Sequence, residues 1–344
     1  MNTKNLNPNS FLARKLFDEK ALEKKATRDG YGQGLVEAGR ENKNIVVLCT
    51  DVTDATRSNL FKEKYPDRFI QMGVSEQSLA SIAAGMALTG KTPFMSAFAA
   101  FSPGRNWEQI KTCIATQRAN VKIAGSHAGI SIGPDGATHQ MLEDLALMRV
   151  MPNMTVITPC DALEAQKATV AMAKMKGPAY IRFTRYVAPV FTTRKTPFKI
   201  GKAEVFKNGK DVTIIACGPL VYEAMKAARD LEAEGIEARV INCHTIKPLD
   251  SKTIIKAAKE TGAIITLEDA QAAGGLGGAV AECLAQNHPV PIEFMGIKDR
   301  YGESGPADEL LEHFELTAPH IINSVHEVIK QKRCLCTNNA HRHR

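Results

Sequence analysis

The chain has 344 residues, 44% hydrophobic and 24% charged, which is enough for two domains of ordinary size, each with its own core. No apolar run of about 18 residues occurs, so a membrane-spanning helix is not expected, and the polar N-terminal segment offers no apolar stretch for a secretory signal. The formal net charge of +7 sits at the ends, +5 over residues 330–344 and +4 over 1–28, so the body between carries −2 and offers no basic stripe for nucleic acid.

In chain order, short Val/Ile-rich runs at 45–49, 92–96, 121–125, 155–157 and 179–183 read as strands. Between them 75–88, 103–119, 139–149 and 161–174 read as helices. Such alternation predicts an α/β fold with a doubly wound, mainly parallel sheet, whose buried strands are apolar along their length. The pattern stops over 186–202, where Pro189 and Pro197 flank a Thr- and Lys/Arg-rich stretch, as in a linker. It resumes with strands at 212–216, 238–241, 263–267 and 292–295 and helices at 220–234, 251–261 and 276–286. The expected organisation is an N-terminal extension (1–25), a first domain (26–188), a linker (189–202), a smaller second domain of the same class (203–331) and a disordered basic tail (332–344).

Six of the eight cysteines are scattered, mostly through apolar segments, which suits reduced core thiols in a cytoplasmic protein. Cys334 and Cys336 with His341 and His343 fit no common zinc spacing. The run Gly274-Gly275-Leu276-Gly277-Gly278 opens a helix after a strand, but a dinucleotide fingerprint would place its third small residue on Val280. A tight turn packing on a neighbour is the expectation there.

Chemistry concentrates in the first domain. Ser75 is placed as an N-cap, which puts Glu76 in the first turn of a small-residue helix, where a carboxylate also suits the helix dipole. Phe98 and Phe101 stand three apart after the strand at 92–96, able to share a helix face or to cup one ligand. The stretch 126–140 carries His127, Asp135 and His139 in a glycine-rich loop at a strand's end. Arg28 and Arg185 have the guanidinium forks that suit a phosphate.

Gly73-Val74-Ser75-Glu76-Gln77 with its Ala/Gly-rich helix resembles the coenzyme-activating motif of the transketolase family. Asp135-Gly136-Ala137-Thr138-His139-Gln140 resembles that family's substrate loop, and Tyr301-Gly302-Glu303-Ser304-Gly305-Pro306 its C-terminal signature, so the likeness covers about residues 20–330. It implies a thiamine-diphosphate fold, with a pyrimidine-binding domain followed by a transketolase C-terminal domain. It also implies a transferase that moves a two-carbon ketol unit from a ketose phosphate to an aldose phosphate in pentose-phosphate carbohydrate metabolism.

By the resemblance, Glu76 contacts N1′ of the thiamine aminopyrimidine; a carboxylic acid in an apolar pocket can share a proton there. Phe101 stacks on the pyrimidine, Phe98 borders it, and Asp51 is a further coenzyme contact. Arg28, Ser58, His127, Asp135, His139 and Arg185 bind the sugar phosphate, and His139 also serves proton transfer. The family's next tyrosine is replaced by Gly104, which could open room for a modified or branched sugar phosphate.

No Gly-Asp-Gly motif for a Mg²⁺-held diphosphate occurs in the sequence. The resemblance therefore implies a partner N-terminal subunit that supplies the metal, two copies of each chain forming a heterotetramer, and no metal ligand here. A 2-oxo-acid dehydrogenase beta subunit lacks the Asp-Gly-Ala-Thr-His-Gln loop. A 1-deoxyxylulose-5-phosphate synthase usually has Gln-His after the glutamate, where this chain has Gln77-Ser78. A non-catalytic relative of the same fold should have lost residues that are all present.

Overall fold

The computed structural model describes residues 5–342. Seven strands form the first sheet, in the order Thr245–Lys247, Thr155–Ile157, Ala179–Arg182, Lys122–Ser126, Thr92–Phe98, Ile45–Cys49, Phe69–Gln71. Six run parallel, and Thr245–Lys247 joins antiparallel at the edge. The inner strands are buried throughout, as helices on both faces require. The second sheet has the order Ile292–Ile297, Ile264–Gln271, Val212–Ala216, Ala238–Asn242, Glu204–Lys207, parallel except for the last strand. The α/β class and the two mainly parallel sheets are as the alternation predicted.

Helix Glu76–Leu88 starts where expected, but Ser75 does not cap it: its hydroxyl donates to Met72 O at 2.8 Å. Helix Ala162–Lys174 is capped by Asp161, which accepts from Glu164 N at 2.8 Å. The helix expected over 103–119 is a run of turns as far as Asn106, then Trp107–Gln109 and a wider π-turn segment Ile110–Ala115. The helix expected over 139–149 is confined to Asp144–Arg149, because 127–143 forms an irregular loop.

The described part of the N-terminal extension is packed on the second domain. Leu16 is fully buried in the second domain's core, Tyr222 donates to its carbonyl, and Asn7 N bonds Phe206 O at 3.0 Å. The N-terminal extension therefore straps the second domain, and its last residues pair in the small sheet Lys24–Ala26 with Val187–Pro189. The linker is pinned as well: Asp161 accepts from Phe191 N and Thr192 N. Helix Ala318–Arg342 continues through the boundary drawn at 331, so the expected disordered tail is helical backbone as far as 342. The Cys336, His341 and His343 side chains lie outside the described residues. Cys49, Cys160, Cys217 and Cys243 are buried free thiols.

The glycine-rich run at 274–278 is the expected packing turn, and its helix start is already filled. Leu276 N and Gly277 N each donate to the Glu268 carboxylate at 2.8 Å, so the protein's own anion takes the place a ligand phosphate would need. Burial pushes Glu268 up to about 7.

The two domains share a buried polar seam. Arg182 donates through Nε to Asp144 at 2.9 Å, and Tyr180 donates to the same carboxylate at 2.7 Å. Across the seam Asp269 accepts from Ile130 N at 2.6 Å and Ser131 Oγ at 2.7 Å. Gln140 donates to Ile130 O and Gly133 O within the loop and to Glu303 O across it. The histidine-bearing loop is thus shaped by the second domain.

Candidate active site

The segments that follow strands Ile45–Cys49, Thr92–Phe98, Lys122–Ser126 and Ala179–Arg182 all lie at the carboxyl edge of the first sheet, since these strands are parallel neighbours. That edge is where open α/β sheets bind ligands. It gathers most of the residues singled out in the sequence.

Glu76 begins its helix with its side chain 2% exposed, and its Oε2 accepts from Arg105 Nη1 at 2.8 Å. The carboxylate thus faces a cation and not only apolar walls. Asn106, fully buried, donates to Glu76 O at 2.8 Å and ties the helix start to the turn after Phe98. Arg105 and Asn106 follow the aromatic pair directly, yet no spacing rule marked them.

Phe98 ends its strand, and Phe101 sits in the next turn with its N–H on Phe98 O at 2.9 Å, so a turn, not a helix face, brings the rings together. Their centroids lie 6.4 Å apart at 23°. Arg105 lies over the Phe101 ring, 4.7 Å from its centroid, and His139 meets Phe101 edge-on at 5.6 Å. Gly104 does not open room. A Cβ there would stand 2.0 Å from Ala100 O, so the turn itself requires glycine.

His127 is buried, packs on Phe98 with centroids 4.0 Å apart, and has a left-handed backbone with φ of 58°. Its Nε2 lies 3.3 Å from Arg28 Nη1, and its Nδ1 lies 2.7 Å from Ser126 Oγ. A guanidinium only donates, which assigns the ring proton to Nδ1 and makes Ser126 Oγ its acceptor. Burial, then Arg28, Arg185 and His139, push His127 down to about 3, so the ring is neutral at pH 7. His127 therefore backs Arg28.

Arg28 also donates to Ala55 O at 2.9 Å, while its Nε is buried with no partner. Arg185 pairs with Asp135 at 3.4 Å, both side chains partly exposed. His139 bonds Thr138 through Nδ1 at 2.9 Å. Asp51 is exposed at the end of strand Ile45–Cys49. Ser58 lies in the turn after strand Ile45–Cys49 and is fully buried, with Oγ on Thr56 Oγ1 at 2.9 Å. Among the described residues, no group of three or more His, Cys, Asp or Glu is placed to hold a metal ion.

The arrangement is a buried carboxylate beside an aromatic pair, next to a cationic rim. It can hold a flat heteroaromatic ring by stacking and a hydrogen bond, with an anionic group bound close by. Comparison with known proteins agrees. The family model for the transketolase pyrimidine-binding domain matches residues 23–189, and that for the transketolase C-terminal domain matches residues 201–321. The chain is 42% identical over 311 residues to a putative transketolase C-terminal section of Methanocaldococcus jannaschii, covering 90% of this chain and 98% of that protein. It is 40% identical over 314 residues to a 6-deoxy-6-sulfo-D-fructose transketolase subunit of a Clostridium species, covering 91% and 98%. Among solved structures, a split-gene transketolase described as an inactive beta4 tetramer superposes with a TM-score of 0.84 at 44% identity, covering 89% of this chain and 99% of that one. No helix of the described residues is long and apolar enough to cross a membrane.

Proposed function

The chain belongs to the transketolase family, and from that premise we propose that it is the aminopyrimidine-binding subunit of a split transketolase. Its partner is an N-terminal subunit, and two copies of each chain form the enzyme. The observation that carries this is Glu76, a carboxylate 2% exposed at a helix start, tied by Arg105 to the face of Phe101.

The residues present fit the aminopyrimidine end of thiamine diphosphate. Phe98 and Phe101 supply aromatic faces, Glu76 a hydrogen-bonding carboxylate, and His139 an edge-on neighbour. The metal end is assigned to the partner, because this sequence carries no Gly-Asp-Gly motif for a Mg²⁺-held diphosphate. When bound, the coenzyme supplies the carbanion chemistry that cleaves and re-forms the ketose carbon–carbon bond.

The chain's own residues have separable tasks. Glu76 holds the pyrimidine nitrogen and shares its proton. Asn106 fixes the backbone from which Glu76 projects. Arg28 and Arg185 grip the terminal phosphate of the sugar, with neutral His127 positioning Arg28. Asp135, now on Arg185, and His139 face the sugar hydroxyls. A pentose-derived ketose phosphate such as xylulose 5-phosphate is the proposed donor. The Clostridium relative, named for a sulfosugar, makes that compound the comparison substrate.

The test is to measure thiamine-diphosphate affinity and ketol transfer with the purified chain alone and after the N-terminal subunit is added. Tight coenzyme binding and turnover are expected only with both. Full activity from the chain alone would sink the split assembly.

A further inference from the structure

Arg57 directly precedes Ser58, and the sequence motifs assign it no role of its own. We infer that it is a third guanidinium of the anion clamp, acting with Arg28 and Arg185 on the terminal phosphate of the substrate, an assignment that rests on the transketolase function proposed above.

Arg57 stands in the turn after strand Ile45–Cys49, with a left-handed backbone at φ 62°. Arginine seldom adopts that conformation, and the only other left-handed side-chain-bearing residue described in this site is His127. Its Nε donates to Asp29 Oδ1 at 2.6 Å. The other Asp29 oxygen accepts from Ala26 N at 3.2 Å, at the start of helix Thr27–Glu41. Asp29 is thus fixed by the helix that carries Arg28, and it aims Arg57 from the next position in the sequence. Only Nε is committed by that pairing, which leaves the two terminal nitrogens for another acceptor.

The turn also sits hard against the helix. A Cβ on Gly32 would lie 2.6 Å from Arg57 O and 2.7 Å from Arg57 Cβ, so only glycine admits this approach. From the same helix Arg28 reaches Ala55 O, two residues before Arg57 in the same turn. Arg28 Nε is buried and has no acceptor, a costly state that an incoming oxyanion would relieve. Burial first, then Arg57, and more weakly Arg185 lower the affinity of Arg28 for its proton, with Asp29 opposing them, as expected where cations crowd one another around a single carboxylate. A lone Arg57–Asp29 surface pair would contribute little by itself, and it would not call for a left-handed arginine. Three guanidiniums around one tetrahedral dianion account for both features.

The experiment uses the full chain and inorganic phosphate as the probe, titrated calorimetrically at fixed ionic strength. Wild type is compared with Arg57→Ala, Arg57→Gln and Arg28→Ala, each checked for native circular dichroism. We expect both Arg57 variants and Arg28→Ala to weaken phosphate binding by about tenfold or more. In the assembled enzyme, Arg57→Gln should raise KM for a phosphorylated acceptor about tenfold more than KM for glycolaldehyde, which has no phosphate. If Arg28→Ala weakens phosphate binding and the Arg57 variants do not, the role of Arg57 is overturned and the transketolase function stands. If no variant alters phosphate binding, the anion site fails and the proposal with it. Asp29→Asn should reproduce part of the Arg57 loss, because Asp29 acts only by positioning Arg57.

Discussion

Two arginine–carboxylate pairs in this molecule have similar bond lengths and opposite characters. Arg182 and Asp144 are 2% and 0% exposed and join at 2.9 Å, with Tyr180 donating to the same carboxylate and Asp269 O accepting from the arginine. Arg105 and Glu76 join at 2.8 Å, but the arginine is 47% exposed while the carboxylate is 2% exposed. In the first pair neither charge can leave without stranding the other in the seam between the domains. In the second, the cation can return to water and the carboxylate can be offered to another group. The same chemistry is a fixture where both partners are buried and an exchangeable cover where one is not.

The largest expected effect falls on the exchangeable pair's carboxylate. Glu76→Ala should lower kcat of the assembled enzyme by about 10³–10⁴-fold, with the thermal midpoint of the isolated chain nearly unchanged; retained turnover would remove Glu76 from the chemistry. The fixed pair should show the reverse. Arg182→Ala leaves Asp144 buried without its cation, which costs about 3–5 kcal/mol of stability in urea denaturation. A loss under about 1 kcal/mol would erase the contrast between the two pairs.

A third prediction concerns pH. Burial holds His244 down at about 3, well below the ordinary histidine value. Between about pH 6.5 and pH 3 the unfolded chain therefore binds a proton that the folded chain refuses, and stability falls as pH falls. Glu164 and Glu268, raised to about 7 by burial, work in the opposite sense, because the folded chain holds their protons more tightly between their ordinary values and 7. The difference between wild type and His244→Gln isolates the histidine. The variant should lose less stability on acidification in chemical melts, and parallel curves would show that His244 is accessible to protons. The smallest expected effect is that of Arg105→Ala on stability, under about 1 kcal/mol, since Arg105 is 47% exposed and water can take its place on the Glu76 carboxylate.

Much of the site was legible because its residues sit in stretches with few local alternatives. Glu76 at the head of an apolar helix, Phe98 at the end of a buried strand and the glycine-spaced histidine loop were all found where strand-then-loop logic put them. Residues whose role comes from a distant contact were not legible. Arg105 and Arg57 look like ordinary surface arginines until Glu76 and Asp29 are set beside them. Nothing in the sequence around Ser58 signals that the turn buries it against Thr56. Helix Thr27–Glu41, with four glycines, carries little helical signal. Gly30 and Gly34 let it lie close to helix Ala162–Lys174, where a Cβ on Gly34 would meet Thr169 at 2.6 Å, while Gly32 and Gly39 admit the segment 57–65 on its other side.

By itself the sequence determined the class of the fold, the two-domain order and the position of Glu76 at a helix start. Strand runs and helix starts are local, and hydrophobic burial acts on them wherever they dock. Tertiary structure alone decided which cation covers that carboxylate, how Asp269 and Gln140 shape the histidine loop, and that Thr245–Lys247 crosses to complete the first sheet. Those outcomes depend on pairing groups far apart in the chain, and the direction and burial of such pairs exist only once both domains have packed.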